Sequence, residues 1–181
     1  MRKRQLLRLG ILVAVAVIAH FVYRENSVTP GSEAAPQPAP PRESMDAESP
    51  RAARIGPCDV THVTDGDTLN VRCGAQKERV RMLQNDTPER DEPLYEEAGD
   101  ALEALIAGRR VELERGPEER DIHGRLLAYV FVGGENLNLT MIRGGWSPYF
   151  DRYGAGAYPR DFAEAERAAR EAGLGIWGLS R

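Results

Sequence analysis

The sequence predicts a small Greek-key β-barrel with helices packed on it, a mainly β, α+β domain. Three features carry that expectation. Five short runs have β-type composition or alternation, an Asp-Gly turn joins the first two, and stretches of helical periodicity lie between and after the runs.

Taken in order, Val60–Thr64 and Thr68–Arg72 flank Asp65-Gly66, the strongest short hairpin signal. Val80–Leu83 is a third strand after the polar turn Gly74–Glu78. A helix is expected from about Pro93 to Ala107. Leu94, Ala98, Ala101, Leu102, Leu105 and Ile106 share one side of it, and Gly108 serves as its stop. Arg109–Glu114 alternates and reads as a strand, and Leu126–Val132 is another, ended by Gly133-Gly134. Asn136–Arg143 is a short helix stopped by Gly144-Gly145. Asp161–Ala172, rich in Ala, Glu and Arg, is helical with Gly173 after it.

These elements occupy 55–181, a common single-domain length. Residues 1–24 carry five cations (Arg2, Lys3, Arg4, Arg8, Arg24), no acid, and an apolar run Leu9–Ala19. Such a start is an export signal. Apolar residues continue past Ala19 to Tyr23, which favours a membrane anchor over a signal peptide cleaved after Ala19. Either way the domain is expected outside the cytoplasm, membrane-anchored or else secreted or periplasmic. Residues 25–54 are rich in Pro, Ala, Ser and Glu and read as a disordered linker.

Composition narrows the classes. With 41% hydrophobic and 29% charged residues, the chain is neither collagen-like nor a polytopic membrane protein. Two cysteines exclude a four-Cys zinc site. A net charge of -4 overall, and of -7 over 55–181 (16 Lys and Arg, 23 Asp and Glu), argues against nucleic-acid binding by bulk charge.

The cysteines have a checkable geometry. If Asp65-Gly66 is a two-residue loop, Thr64 faces Asp67. Stepping outward then pairs Val60 with Val71 and Cys58 with Cys73. In that register 58 and 73 form a hydrogen-bonded pair with Cα atoms about 5.5 Å apart, inside disulfide range. Exported domains keep disulfides, so a Cys58–Cys73 bridge is expected. Two reduced, buried thiols are the other reading, and a bulge near the turn would break the pairing.

Polar residues concentrate in Asp65-Gly66-Asp67-Thr68, in Arg81 to Arg90, and in Asp121 to Val130. Each alone is most simply a turn. Together they supply Asp67, Asp86 and Glu89 as hard oxygen donors, with the carbonyl of Thr87, and Arg81 and Arg125 as planar forks suited to phosphate. A divalent cation, two arginines and a spare carboxylate are the parts needed to hydrolyse a phosphodiester. Other patterns carry less. Gly154 to Pro159 lacks a strand–helix setting for a dinucleotide loop, and Leu69 spoils an EF-hand. Asn85-Asp86-Thr87 and Asn138-Leu139-Thr140 fit the glycosylation pattern.

The three segments resemble the staphylococcal (micrococcal) nuclease family, marked by Asp-Gly-Asp-Thr, by Arg and a few apolar residues before Asp-Thr-Pro-Glu, and by Asp-x-x-Gly-Arg-x-Leu-Ala-Tyr. The likeness spans about Val60 to Trp177 and includes the ending Gly175-Ile176-Trp177. The resemblance implies an OB-fold, a five-stranded Greek-key barrel with about three helices. It also implies a Ca²⁺-dependent nuclease acting on DNA and RNA with little sequence preference and leaving 3′-phosphate ends. By motif match Asp67, Asp86 and Thr87 would hold the metal, with Asp65 behind them. Glu89 would act on the attacking water, and Arg81 and Arg125 would bind the scissile phosphate. Tyr149 is a weaker match to a tyrosine that meets the nucleotide. His123 stands where an aromatic residue is usual, and Asn85 where an apolar one is. A monomer is expected. The rival reading is a non-catalytic OB-fold module that binds nucleic acid or protein.

Overall fold

The computed structural model describes residues 53–179. The readings of 1–24 as signal or anchor and of 25–54 as linker lie outside the described residues, apart from 53 and 54. Among the described residues, no helix is long and apolar enough to cross a membrane.

The strands are β1 (Ile55–Val63), β2 (Thr68–Cys73), β3 (Gln76–Met82), β4 (Val111–Arg120), β5 (Leu126–Val132) and a two-residue β6 (Glu135–Asn136). They pair in the order β3-β2-β1-β4-β5-β6, and β3 also pairs with β5 in parallel. That last pairing closes β1 to β5 into a barrel and leaves β6 as an appendage of β5. Closure satisfies edges that would otherwise stay open. The result is the expected OB-fold barrel with helices, and the short β6 is an addition to the expected strands.

Several boundaries differ from the expectation. The turn after β2 is Gly74-Ala75 rather than Gly74–Glu78, because Gln76 to Glu78 already pair with Cys73 to Val71. The strand expected to end at Glu114 runs on to Arg120, where it forms a long hairpin arm with β5. The Asp65-Gly66 loop is also longer than expected. The Thr64 amide bonds the Thr68 carbonyl at 2.8 Å, so three residues (65–67) form the loop. A bulge between Val60 and His62 then restores the register, giving Val60 opposite Val71 and Asp59 opposite Arg72. The two departures cancel, and Cys58 and Cys73 are joined. Their Cα atoms are 4.3 Å apart, the spacing of a non-hydrogen-bonded pair rather than the wider one expected.

Helix α1 (Tyr95–Ile106) begins two residues after Pro93 because Leu94 takes a left-handed conformation, φ 70°. It buries Ala98, Ala101, Leu102 and Ile106. Its stop is Ala107, itself left-handed, one residue before the glycine expected there. Helix α2 (Leu137–Arg143) is capped by the Asn136 side chain, which accepts from the Leu139 amide. Helix α3 (Pro159–Ala172) starts on a proline, whose missing N–H costs nothing in a first turn, and ends at left-handed Gly173. A short 3₁₀ turn, Gly175–Gly178, follows.

The barrel interior is filled by Leu69, Val71, Val80, Met82, Val111, Leu113, Leu126, Ala128 and Val130, closed off by Leu102 of α1 and Met141 of α2. A second cluster lies on the other face of β5, where Tyr129 and Phe131 pack with Phe162 and Ala165 of α3 and Ile142 of α2. Thus β5 is buried on both faces, which explains its continuous apolar run. Gly145 and Gly175 bring two backbones into contact. A Cβ on either would collide with the other segment, and the Ile176 amide bonds the Gly145 carbonyl at 2.9 Å.

Candidate active site

Asp67 is the centre of the site. It lies just before β2 and is only 5% exposed. Three donors converge on its carboxylate. The Thr87 amide and hydroxyl donate to Oδ2 at 2.9 and 3.1 Å, and the Thr68 hydroxyl to Oδ1 at 3.1 Å. The Arg81 guanidinium is ion-paired with the same Oδ2. Register explains the pairing: Arg81 lies opposite Thr68 on the adjacent strand, and the Met82 amide bonds the Asp67 carbonyl at 2.8 Å. Asp65 shapes the loop by accepting from the Asp67 amide at 3.1 Å. Gly66 is buried beneath. A Cβ there would sit 2.8 Å from both Ala98 Cβ and Thr87 Cγ2, so only glycine lets the loop close on Thr87 and α1.

Burial pushes the Asp67 carboxyl up to about 6, against the opposing pull of the Arg81 guanidinium and the Thr87 amide. Its charged form is thus made costly by burial, which its neighbours do not fully offset.

Asp86 stands across the same guanidinium, its Oδ1 at 3.4 Å from Arg81 Nη2. Its position is set by residues the motifs do not reveal. The Asp86 amide donates to the fully buried Ser147 hydroxyl at 2.8 Å, which itself donates to the Pro148 carbonyl at 2.7 Å. Asn85 bridges Tyr149 in antiparallel fashion, and the Phe150 amide bonds the Gln84 carbonyl at 3.0 Å. The Asn85 side chain turns inward to the Asn138 carbonyl at 3.2 Å. Asn138, also fully buried, donates to the Leu83 carbonyl and accepts from the Val130 amide, each at 2.8 Å. Both asparagines of the glycosylation-type patterns are therefore interior ties, inaccessible to modification. The only sequence signal for them is a polar residue within an apolar helix or loop.

Among the described residues, none of the other side chains expected in the site bonds to Asp67, Arg81 or Asp86. Arg125 lies just before β5, and its guanidinium donates to Asp121 at 2.6 Å. Burial raises the Asp121 pKa, but hydrogen bonds from the Arg125 side chain and from the Arg125 and His123 amides outweigh it and hold the carboxyl low. His123 lies at the exposed hairpin tip, its amide donating to Asp121 at 2.9 Å. Glu89 is exposed. Its backbone amide donates to the Glu92 carboxylate at 2.9 Å, and its own carboxylate has no hydrogen-bond partner among the described residues. Tyr149 packs edge-on against Phe162 and donates its hydroxyl to the Ala155 carbonyl at 2.6 Å. On the same loop, Tyr153 is 89% exposed, with its ring 5.6 Å from that of Phe150.

The donor set fits a hard cation. Asp67 and Asp86 flank one guanidinium, so a single positive charge already reaches both carboxylates. Thr87 adds a backbone carbonyl from the same loop. Among the described residues, no three His, Cys, Asp or Glu side chains gather around one point. An all-oxygen set of this size suits an ion that keeps several waters, whereas zinc prefers nitrogen and sulfur.

Comparison with known proteins gives consistent results. The family model for staphylococcal nuclease homologues matches residues 79–178, which include Arg81, Asp86, Thr87, Glu89 and Arg125 but not Asp67. An uncharacterized protein of Bacillus anthracis is 36% identical over 130 residues, covering 66% of this chain and 60% of the relative. An uncharacterized endonuclease of Haemophilus influenzae is 28% identical over 121 residues, covering 66% and 65%. A thermonuclease of Staphylococcus intermedius is 33% identical over 130 residues, covering 65% and 74%. The chain spans less than two thirds of the first two relatives.

Proposed function

The chain belongs to the staphylococcal nuclease homologue family, and on that premise we propose that it is a Ca²⁺-dependent nuclease hydrolysing phosphodiester bonds of DNA and RNA. Relatives named thermonuclease and endonuclease support the class of reaction. The observation that carries the reading is the Arg81 guanidinium seated between the Asp67 and Asp86 carboxylates, which come from separate segments.

The carboxylates of Asp67 and Asp86 and the Thr87 carbonyl are the groups that would hold Ca²⁺. Bound there, the ion supplies Lewis-acid polarisation of a phosphoryl oxygen and neutralises charge that builds on it. Arg81 donates to the phosphate oxygens, and its fork strengthens as they gain charge in the transition state. Glu89, with its carboxylate open to solvent, takes the proton of the attacking water. Water oxygen bonds to phosphorus while the bond to the 5′-oxygen breaks, leaving a 3′-phosphate; Arg125 steadies the charge on the departing oxygen, which takes a proton from solvent water to become a 5′-hydroxyl. Tyr153, exposed to solvent, offers a ring face on which a base can stack.

The protein acts outside the cytoplasm as a monomer, held at the membrane by residues 1–24 or released if they are cleaved. The Cys58–Cys73 disulfide supports an oxidising compartment. Plasmid nicking by the full chain tests the reading. Cleavage that needs Ca²⁺ and stops with chelator is expected; no chelator-sensitive cleavage would leave the non-catalytic binding module.

A further inference from the structure

The domain has a net charge of -7 over 55–181, so a polyanion is repelled unless cations are gathered along one path. The outer face of β2 and β3 gathers them. Leu69, Val71, Val80 and Met82 point into the barrel, so the alternate residues Arg72, Lys77, Arg79 and Arg81 point outward. Register sets them side by side: Arg72 lies opposite Lys77, Asn70 opposite Arg79, and Thr68 opposite Arg81. On the other side of β3, Val80 pairs with Leu126 in parallel. One residue earlier on each side are Arg79 and Arg125, both outward.

The carboxylates near this row are already engaged. Asp59 is shared by Arg110 and Arg72, at 2.8 and 3.5 Å. Asp121 is held by Arg125, and Glu78 is held by Arg120 at 2.9 Å. Lys77 and Arg79 are exposed, and neither has an ion-pair partner among the described residues. They therefore form a row that ends at Arg81, with steps of about 6.8 Å along the strand.

The geometry points to a phosphate track: Lys77 and Arg79 hold successive phosphates of one extended single strand and lead it to Arg81. The inference rests on the nuclease reading and adds to it where the strand lies. A single row of cations on one sheet face matches one backbone, with bases left free, as expected for sequence-tolerant binding on a small barrel.

The test pairs the full chain with its Lys77→Gln/Arg79→Gln variant. A second variant, Arg143→Gln/Arg160→Gln, makes the same charge change at exposed positions on α2 and α3. Binding of a labelled single strand longer than about 16 nucleotides is measured in chelator, where no cleavage occurs. The track variant should bind about tenfold more weakly, and its salt slope should be shallower by about 1.4, or about 0.7 for each phosphate no longer neutralised. With Ca²⁺, the preference for the long strand over a dinucleotide, as a ratio of kcat/KM, should fall by the same factor. Equal weakening in both variants would reduce the effect to net charge and overturn the track, as would unchanged binding in the first. Absence of cleavage by the unmodified chain, with binding as expected, would instead remove the nuclease reading alone.

Discussion

Asp67→Asn keeps the shape of the buried side chain and removes its titration, so the pair of proteins isolates one carboxyl. In the folded protein that group titrates at about 6, against an ordinary value of 3.8, chiefly because it is buried. Between those two values the folded state holds a proton that the unfolded state has lost, so stability falls as pH rises. The contribution is complete below the lower value and gone above the upper one. About two pH units at about 1.4 kcal/mol each bound the effect at about 3 kcal/mol. Denaturant unfolding of both proteins in chelator, from about pH 4 to about pH 7, reads it. The stability of the wild type relative to the variant should decline across that range by up to this amount. Saturating Ca²⁺ at the upper end should restore the wild type and leave the variant unchanged, because the cation replaces the lost proton. A relative stability that stays level or climbs with pH would show that the Asp67 carboxyl is already well compensated by Arg81, and the reasoning about an under-neutralised pocket would fail.

Three other perturbations probe the supports of the site. Gly66→Ala would press a methyl group against Ala98 and Thr87 at 2.8 Å, costing about 1–3 kcal/mol and lowering turnover on the order of a hundredfold; unchanged melting and turnover would contradict the packing. Ser147→Ala removes the acceptor of the Asp86 amide and should cost about 1–3 kcal/mol and weaken Ca²⁺ binding by calorimetry, with Ser147→Thr retaining both; an alanine variant with native affinity would exclude a positioning role. Reducing Cys58–Cys73 opens a link between residues 15 apart and should lower unfolding stability by about 3 kcal/mol, and an unmoved denaturation midpoint with reductant would refute that contribution.

Much of the barrel is legible along the chain because its signals are local. Alternation marks β2, a continuous apolar run marks β5, periodicity marks α1 and α3, and proline or glycine marks most of their ends. Even so, the expected opposition of Val60 and Val71 rests on a loop one residue too short, and the bulge expected to break the Cys58–Cys73 pairing instead compensates for it. A hydrophobic pattern of period two fixes which face is buried, but it does not say where an unpaired residue is inserted.

The residue types at Asp67, Arg81, Asp86 and Thr87 are readable from their order along the chain, since oxygen donors and guanidinium forks have few other uses in that combination. Their meeting is not readable. It depends on the β2–β3 register, which sets Arg81 beside Thr68, and on the loop after β3 folding back so that Thr87 donates to Asp67. Ser147 and Asn138 escape notice for the same reason: each is an ordinary polar residue until folding buries it against an amide or carbonyl far away in the chain. The order of amino acids establishes which chemical groups exist and which short segments are strand or helix, because those depend on neighbours a few positions away. Which groups share a pocket, how deeply Asp67 is taken from water, and that Arg72 lies beside Lys77 across two strands are settled in three dimensions, because contact and burial depend on segments that meet only when the barrel closes.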